Sequence, residues 1–314
     1  MLQEVSLRET YGKTLVELGR ENSDIVALDA DLSRSTMTYF FAREFPNRFF
    51  DCGIAEQNMV GIAAGLAVSG KLAFASTFAV FVPGRCFDQV RMSIAQPGLN
   101  VKLVTTHGGI SVGEDGTSHQ AIEDLALACS LPGFTVIVPA DAIETAQAVR
   151  VAAASYGPFY IRLCRPKLPL VYDDDYHFVL GKAVTMRRGK DITIIAIGIM
   201  VTAALEAADN LGREGIDCRV LNMPTLKPVD EAAIIRAAAE TGAIVTAEEH
   251  LEHGGLGSAV ARVVAKYHPV PMEFVAIKDT YAQSGKPAEL LQRYGLTAKD
   301  IEQAVRAVVK RKSG

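Results

Sequence analysis

The sequence predicts an α/β protein made of two doubly wound domains. Short apolar runs alternate with segments of helical spacing along the 314 residues, which is typical of sheets covered by helices on both faces. A proline-containing and charged stretch at 166–190 separates two such alternations. The hydrophobic content of 49% is enough for two cores of ordinary size. We therefore expect domains at 1–175 and 191–314, joined by a linker at 176–190.

Each element is predicted from its local pattern. Helix 6–20 has Leu7, Tyr11 and Leu15 on one side, and Ile25–Leu28 is a short apolar run typical of a buried parallel strand. The same criteria predict, in the first half, strands 72–75, 101–105, 134–138 and 159–163 and helices 56–69, 82–95, 120–129 and 141–154. An edge element is expected between the two halves. The second half is predicted to hold strands 192–197, 218–222, 243–247 and 272–277 and helices 200–213, 230–240, 256–266, 287–293 and 298–310.

Charge and composition narrow the class of protein. The formal net charge of −4 gives no sign of a nucleic-acid surface. Five widely spaced cysteines without a Cys-x-x-Cys pattern favour free thiols in a reducing cytoplasm. The beginning of the sequence lacks an apolar signal core, and the longest apolar stretch, 192–205, is too short to span a bilayer. We expect a cytoplasmic protein that binds neither nucleic acid nor membrane.

The segment Asp51–Met59 leads into a run of small residues at 60–70. It places Glu56 at the start of a tightly packed apolar helix. A carboxylate withdrawn from water in this way is suited to proton sharing with a bound base, although the helix dipole alone would also favour an acid there. The small residues that follow allow a cofactor or a second subunit to approach closely.

A second cluster lies on the glycine-rich loop Thr106–Gln120, which contains two histidines and two acids. Its glycines relax the backbone, so that side chains and amides can reach a ligand. Asp115 and His119 are four residues apart and can converge on one hydroxylated substrate. A metal site is not indicated, because no third close ligand is evident.

These segments resemble the pyrimidine-binding half of transketolase-type thiamine diphosphate enzymes. The resemblance is carried by Gly53-Ile-Ala-Glu-Gln57, Ser76-Thr-Phe-x-x-Phe81 and Gly113-Glu-Asp-Gly116 with His119. It implies that Glu56 hydrogen-bonds the pyrimidine ring, drives it to the imino form and acts in catalysis together with His119. It also implies that the cofactor-binding residues include Phe81, which stacks on the pyrimidine, Phe78 and Asp31.

The same resemblance implies a sugar-phosphate site. Asp115 and His119 would bind hydroxyls of the donor sugar, and His107 would lie near the phosphate end of the acceptor. Arginine suits phosphate because its forked donors match the phosphate oxygens. The implied substrate-binding residues are Arg8, Ser35, His107, Asp115, His119 and Arg165.

The sequence lacks the motifs by which the family holds Mg²⁺ and the diphosphate, since it has no Gly-Asp-Gly and no Asn-Asn. The resemblance therefore implies the C-terminal subunit of a split transketolase, which needs a partner for activity. The N-terminal, diphosphate-binding subunit would hold the Mg²⁺, and no metal ligands are expected in this chain. Self-association would give a heterotetramer that transfers a two-carbon ketol unit between sugar phosphates.

Three alternatives stay open at this point. One is a synthase that joins pyruvate to glyceraldehyde 3-phosphate, another is a β-subunit of a 2-oxo-acid dehydrogenase, and the third is a non-catalytic paralogue. The chain also departs from the family pattern at Gly84, at Thr117 and at Gly108-Gly109, where transketolases usually have Asp-Ser. These departures bear on the sugar more than on the reaction type.

Overall fold

A computed structural model describes residues 3–313 of the chain. The strands of the first half are β1 (Glu4–Ser6), β2 (Ile25–Asp29), β3 (Phe49–Asp51), β4 (Leu72–Phe78), β5 (Val101–Thr106), β6 (Thr135–Ile137), β7 (Phe159–Arg162) and β8 (Lys167–Pro169). Its helices are α1 (Leu7–Glu21), α2 (Ser33–Thr36), α3 (Tyr39–Glu44), α4 (Glu56–Val68), α5 (Phe87–Gln89), α6 (Asp124–Ser130) and α7 (Ala142–Ala154).

The second half repeats the alternation of strands and helices. Its strands are β9 (Val184–Arg187), β10 (Ile192–Ala196), β11 (Cys218–Asn222), β12 (Thr225–Lys227), β13 (Ile244–Leu251) and β14 (Met272–Ile277). Its helices are α8 (Met200–Arg213), α9 (Glu231–Thr241), α10 (Leu256–Tyr267), α11 (Pro287–Arg293) and α12 (Ala298–Ser313).

The first sheet has seven strands in the order β12-β6-β7-β5-β4-β2-β3. All pairs are parallel except β12 with β6, so a strand of the second half completes a sheet formed by the first. Phe78 pairs with Thr106 and Ser76 with Asp29, which places the carboxyl ends of the three central strands at one edge. In parallel α/β sheets this edge is where ligands bind.

The second sheet has five strands in the order β14-β13-β10-β11-β9. Its strands are parallel apart from β9, which pairs antiparallel with β11 at the edge. Strand β9 lies within 176–190, the stretch for which we predicted a linker with an edge element. The α/β class with two wound sheets is confirmed.

Two predicted helices differ from the structure. The helix expected at 82–95 is interrupted at its beginning, because Pro83 has no N–H and Val82 before it is extended (φ −128°, ψ 122°); from Phe87 to Ala95 the chain is helical, first as α5 and then as a π-helical turn. The helix expected at 120–129 begins only at Asp124. The residues before Asp124 belong to the glycine-rich loop that contains His107, since Ala121 pairs with Gly108 in an isolated β-bridge.

Buried ionic groups join the two halves. Arg162 at the end of β7 donates from Nε to Asp124 Oδ2 at 2.9 Å and from Nη2 to the Glu249 carbonyl oxygen at 2.9 Å. Glu249 Oε1 accepts from the Ser111 N–H at 2.6 Å. A residue of β13 thus holds the loop that carries the predicted sugar site.

Two further predictions concern the whole chain. The cysteines are free thiols, as expected, at Cys52, Cys86, Cys129, Cys164 and Cys218. Within residues 3–313, no helix combines the length and the apolar character needed to cross a membrane.

Candidate active site

The candidate site lies at the carboxyl edge of the first sheet. Strand β4 delivers Phe78 and the turn that holds Phe81, and β5 delivers His107. Glu56 is the first residue of α4, as the sequence predicted. Four of the predicted residues, from three separate segments of the chain, therefore lie at the same edge of the sheet.

Glu56 is almost fully buried, with 2% of its surface exposed. Its Oε2 accepts from Arg85 Nη1 at 2.9 Å, whereas its Oε1 has no hydrogen-bond partner among the described residues. Leaving a buried acceptor unpaired costs about 1–3 kcal/mol, so this oxygen is suited to a donor supplied by a ligand.

The aromatic side chains form a cluster that Arg85 links to this carboxylate. The rings of Phe78 and Phe81 are stacked with centroids 5.8 Å apart, and Phe78 also stacks on His107 at 3.8 Å. The rings of His119 and Phe81 are in a T-shaped arrangement with centroids 5.6 Å apart. The half-buried Phe81 offers an aromatic surface on which a flat heterocycle can stack.

His107 belongs to the aromatic cluster and is close enough to two arginines for their charges to affect it. Its backbone is in the left-handed region (φ 59°), and its Nδ1 is 2.8 Å from Thr106 Oγ1. Burial lowers the pKa of His107 to about 3, and the positive charges of Arg8 and Arg165 act in the same direction. The imidazole is therefore neutral at physiological pH, and it can serve a ligand as a hydrogen-bonding group rather than as a cation.

The arginines themselves form a second cluster. Arg8 donates from Nη1 to the Ser35 carbonyl oxygen at 2.7 Å and from Nη2 to the Arg165 carbonyl oxygen at 3.4 Å. Arg8 Nε is buried without a partner among the described residues. Arg165 donates to the Val112 carbonyl oxygen and lies 3.3 Å from Glu114 Oε2. The structure thus brings the predicted substrate residues Arg8, Ser35 and Arg165 together. The Nε of Arg8 remains available to donate a hydrogen bond to a ligand.

Asp31 and Asp115 are less closely tied to the site. Asp31 is exposed just past β2, with φ 64°, and its N–H donates to Asp51 Oδ1 at 3.1 Å. Asp115 is exposed on the loop that ends with the half-buried His119. No hydrogen bond or ion pair joins either aspartate to Glu56 within residues 3–313.

Two residues at the site were missed by the sequence reasoning. Arg85 contacts both Glu56 and the ring of Phe81, with its Cζ 4.3 Å from the ring centroid. Glu249 is fully buried under the His107 loop, and burial raises the pKa of its carboxyl group, which Arg162 opposes. The pair Gly108-Gly109 was the sequence feature that could have indicated a close neighbour here, because a Cβ at Gly109 would overlap the Glu249 carboxylate.

The structure holds the second-half histidine His250 in a packing role. It is buried, its Nδ1 is 2.7 Å from the Leu251 carbonyl oxygen, and its Nε2 accepts from the Ala126 N–H at 3.4 Å. Both ring nitrogens are thereby engaged with backbone. In the part of the chain that the structure describes, no group of three or more His, Cys, Asp or Glu side chains is placed to hold a metal ion.

Comparisons with known proteins agree with this geometry. Residues 3–171 match the family described as "Transketolase, pyrimidine binding domain", and residues 181–301 match "Transketolase, C-terminal domain". The chain is 44% identical to the "Putative transketolase C-terminal section" of Methanocaldococcus jannaschii, over 97% of this chain and 96% of that protein. It is 43% identical to the "6-deoxy-6-sulfo-D-fructose transketolase subunit SqwH" of Clostridium sp. (strain MSTE9), over 99% and 97%.

A solved structure described as "Split gene transketolase, inactive beta4 tetramer" is also similar. It shares 52% identity and a TM-score of 0.92 with this chain, over 98% of this chain and 99% of that one. These relatives confirm the resemblance to C-terminal subunits of split transketolases that the motifs indicated. The chain belongs to the transketolase family, and it has that family's pyrimidine-binding and C-terminal domains.

Proposed function

We propose that this chain is the small, C-terminal subunit of a two-chain transketolase. The reaction is the transfer of a two-carbon ketol unit from a ketose phosphate to an aldose phosphate. The observation that carries the proposal is the unpaired, buried Oε1 of Glu56, whose carboxylate is linked through Arg85 to the half-buried ring of Phe81. Relatives named as transketolase sections or subunits support this reaction over the synthase and dehydrogenase alternatives.

The site fits the pyrimidine ring of thiamine diphosphate. An unpaired carboxylate oxygen matches a ring nitrogen, and the aromatic cluster matches the flat face of the ring. Glu56, Phe81, Phe78 and His119 would hold the ring, and Asp31 is retained as a further contact. When bound, thiamine diphosphate supplies the electron sink needed to cleave a carbon–carbon bond beside a carbonyl group.

The chain's own residues supply proton sharing and orientation. Glu56 would hold a proton against the ring nitrogen through its free Oε1, which burial keeps away from water. Asp115 and His119 would bind hydroxyls of the donor and fix its configuration. Arg8, Ser35, Arg165 and His107 would bind the phosphate end, to which Arg8 Nε offers an unpaired donor.

The diphosphate and Mg²⁺ would be held by an N-terminal partner subunit. The absence of Gly-Asp-Gly and Asn-Asn from the sequence supports this division. It agrees with the description of the similar solved structure as an inactive tetramer of β-subunits. We propose that self-association and the partner together form a heterotetramer. The five free thiols favour a reducing, cytoplasmic setting.

We also retain the proposed domain limits of 1–175 and 191–314. The two family matches, at 3–171 and 181–301, support a division in this region. Strand β12 is an exception to a clean separation, because it belongs to the second half and pairs in the first sheet.

The test is a coupled assay with xylulose 5-phosphate and ribose 5-phosphate. The chain is assayed alone and after assembly with the large subunit, with thiamine diphosphate and Mg²⁺ present in both cases. Activity only in the assembled sample is expected. A parallel assay with 6-deoxy-6-sulfo-fructose as donor separates phosphate from sulfonate recognition. An assembled enzyme that binds the cofactor but transfers no ketol unit from any donor would contradict the proposal.

A further inference from the structure

Arg85 links the two groups on which the proposed pyrimidine site depends. Its Nη1 donates to Glu56 Oε2 at 2.9 Å, and its Cζ lies 4.3 Å from the centroid of the Phe81 ring. Because one planar guanidinium contacts both groups, it lies between the carboxylate and the ring. A pyrimidine that bonds to Glu56 while it stacks on Phe81 requires the same space.

The guanidinium is free to leave this space without a change in the main chain. The Arg85 side chain is 47% exposed, whereas that of Glu56 is 2% exposed. The Arg85 backbone is held separately, because its carbonyl oxygen accepts from Gln57 Nε2 at 3.2 Å. The neighbouring Gly84 has no heavy atom within 4 Å of the position that a Cβ would take, so there is open space beside the segment.

Arg85 also occupies part of the Glu56 carboxylate. Its Nη1 takes up Oε2, one of the two oxygens that a ligand could bond, while the same guanidinium lies over the Phe81 ring. Arg85 therefore competes with the pyrimidine twice, for the face of Phe81 and for the carboxylate of Glu56.

We propose that Arg85 is a further functional residue of this site. It holds Glu56 and Phe81 in the cofactor-free chain, and the pyrimidine displaces it when thiamine diphosphate binds. This inference rests on the proposed function. Its consequence is that cofactor binding must first break the contacts of Arg85. The chain without its partner therefore gains little from the pyrimidine end of the cofactor alone.

The test measures the dissociation constant of thiamine diphosphate by calorimetry, with the full chain assembled with its large subunit and with Mg²⁺ present. Arg85→Met removes the charge and the planar group that lies over Phe81. The variant should bind the cofactor about fivefold to tenfold more tightly, which is the effect expected from the loss of one cation–π contact and one half-exposed ion pair. Arg85→Lys keeps the charge opposite Glu56 and should fall between. Arg91→Met is the control, since the Arg91 guanidinium contacts Met92 outside the site.

The possible outcomes separate this inference from the proposed function. Tighter binding by Arg85→Met with unchanged binding by Arg91→Met supports displacement. Unchanged or weaker binding by Arg85→Met, in an assembly whose wild type binds the cofactor normally, overturns the inference alone and assigns Arg85 a supporting role. A wild-type assembly that does not bind thiamine diphosphate overturns the proposed function, and this inference falls with it.

Discussion

Replacing Glu56 with glutamine tests the proton-sharing role with little change in shape. The amide of Glu56→Gln retains an oxygen that can accept from Arg85, but it cannot give a proton to a ring nitrogen. The structure predicts that folding survives, because the amide has nearly the same shape as the carboxylate and its oxygen can still accept from Arg85, the charged partner that Glu56 has among the described residues.

The expected effect on the reaction is a large loss of rate in a protein that still folds. A positioned proton-transfer group contributes about 10²–10⁴-fold to a rate, and each tenfold corresponds to about 1.4 kcal/mol. Turnover of the assembled enzyme should therefore fall by at least about a hundredfold. The free energy of unfolding should change by no more than about 1–3 kcal/mol, the range for one altered buried polar group. A variant that folds but has lost its turnover separates a chemical role from a structural one.

The most direct assay is exchange of the C2 proton of thiamine diphosphate bound to the assembled enzyme, followed by NMR. Glu231→Gln is the matched control, because Glu231 also begins a helix and also pairs with an arginine, Arg262, at 2.9 Å. The control should exchange at the wild-type rate and Glu56→Gln far more slowly. Exchange at the wild-type rate in Glu56→Gln would refute the assignment of Glu56.

Three further predictions concern the sugar site and the core. Asp115→Ala should impair ketoses of the correct configuration more than their epimers at one hydroxyl, because a lost hydrogen-bond partner weakens discrimination; equal losses in steady-state kinetics would contradict this role. Arg165→Ala should raise KM about tenfold or more for phosphorylated donors but not for unphosphorylated ones, whereas Glu114→Gln, which frees Arg165 from its 3.3 Å neighbour, should lower that KM. Burial raises the pKa of Glu144 from 4.5 to about 7, so the native state binds more protons between these values and its free energy of unfolding falls as the pH rises through them. Relative to Glu144→Gln, the wild type should lose about 3 kcal/mol between pH 4.5 and pH 8 in urea unfolding, and parallel pH profiles would refute this.

The order of strands and helices was predictable because burial dominates their patterns. Ile25–Leu28 gives most of β2, and the helices predicted at 200–213 and 256–266 are found with nearly the same bounds. The strands β1, β3, β8 and β12 were not predicted; each has three residues and lies at the edge of a sheet or in the two-stranded sheet that β1 forms with β8. The break near Pro83 was present in the sequence as a proline inside an otherwise helical pattern.

The site was predictable only where motifs marked it. The positions of Glu56, Phe81 and His107 at one sheet edge follow from the strands that precede them and from the parallel order. Arg85 was missed because its relation to Glu56 spans 29 residues and depends on the irregular turn after β4. Glu249 was missed because it reaches Ser111 across 138 residues, from the other half of the chain.

Glu249 also gives a structural reason for the departure at Gly108-Gly109. A Cβ at Gly108 would overlap the Arg162 side chain, and one at Gly109 would overlap the carboxylate of Glu249, where φ is also 81°. Aspartate and serine, the usual pair in the family, cannot be placed there while those two buried side chains keep their positions. The two glycines are therefore better explained by the contact between the halves than by a choice of sugar. The Glu249 carboxylate accepts from the Ser111 N–H, and the carbonyl oxygen of the following residue, Val112, accepts from Arg165. The second half of the chain therefore helps to set the geometry of the proposed phosphate end.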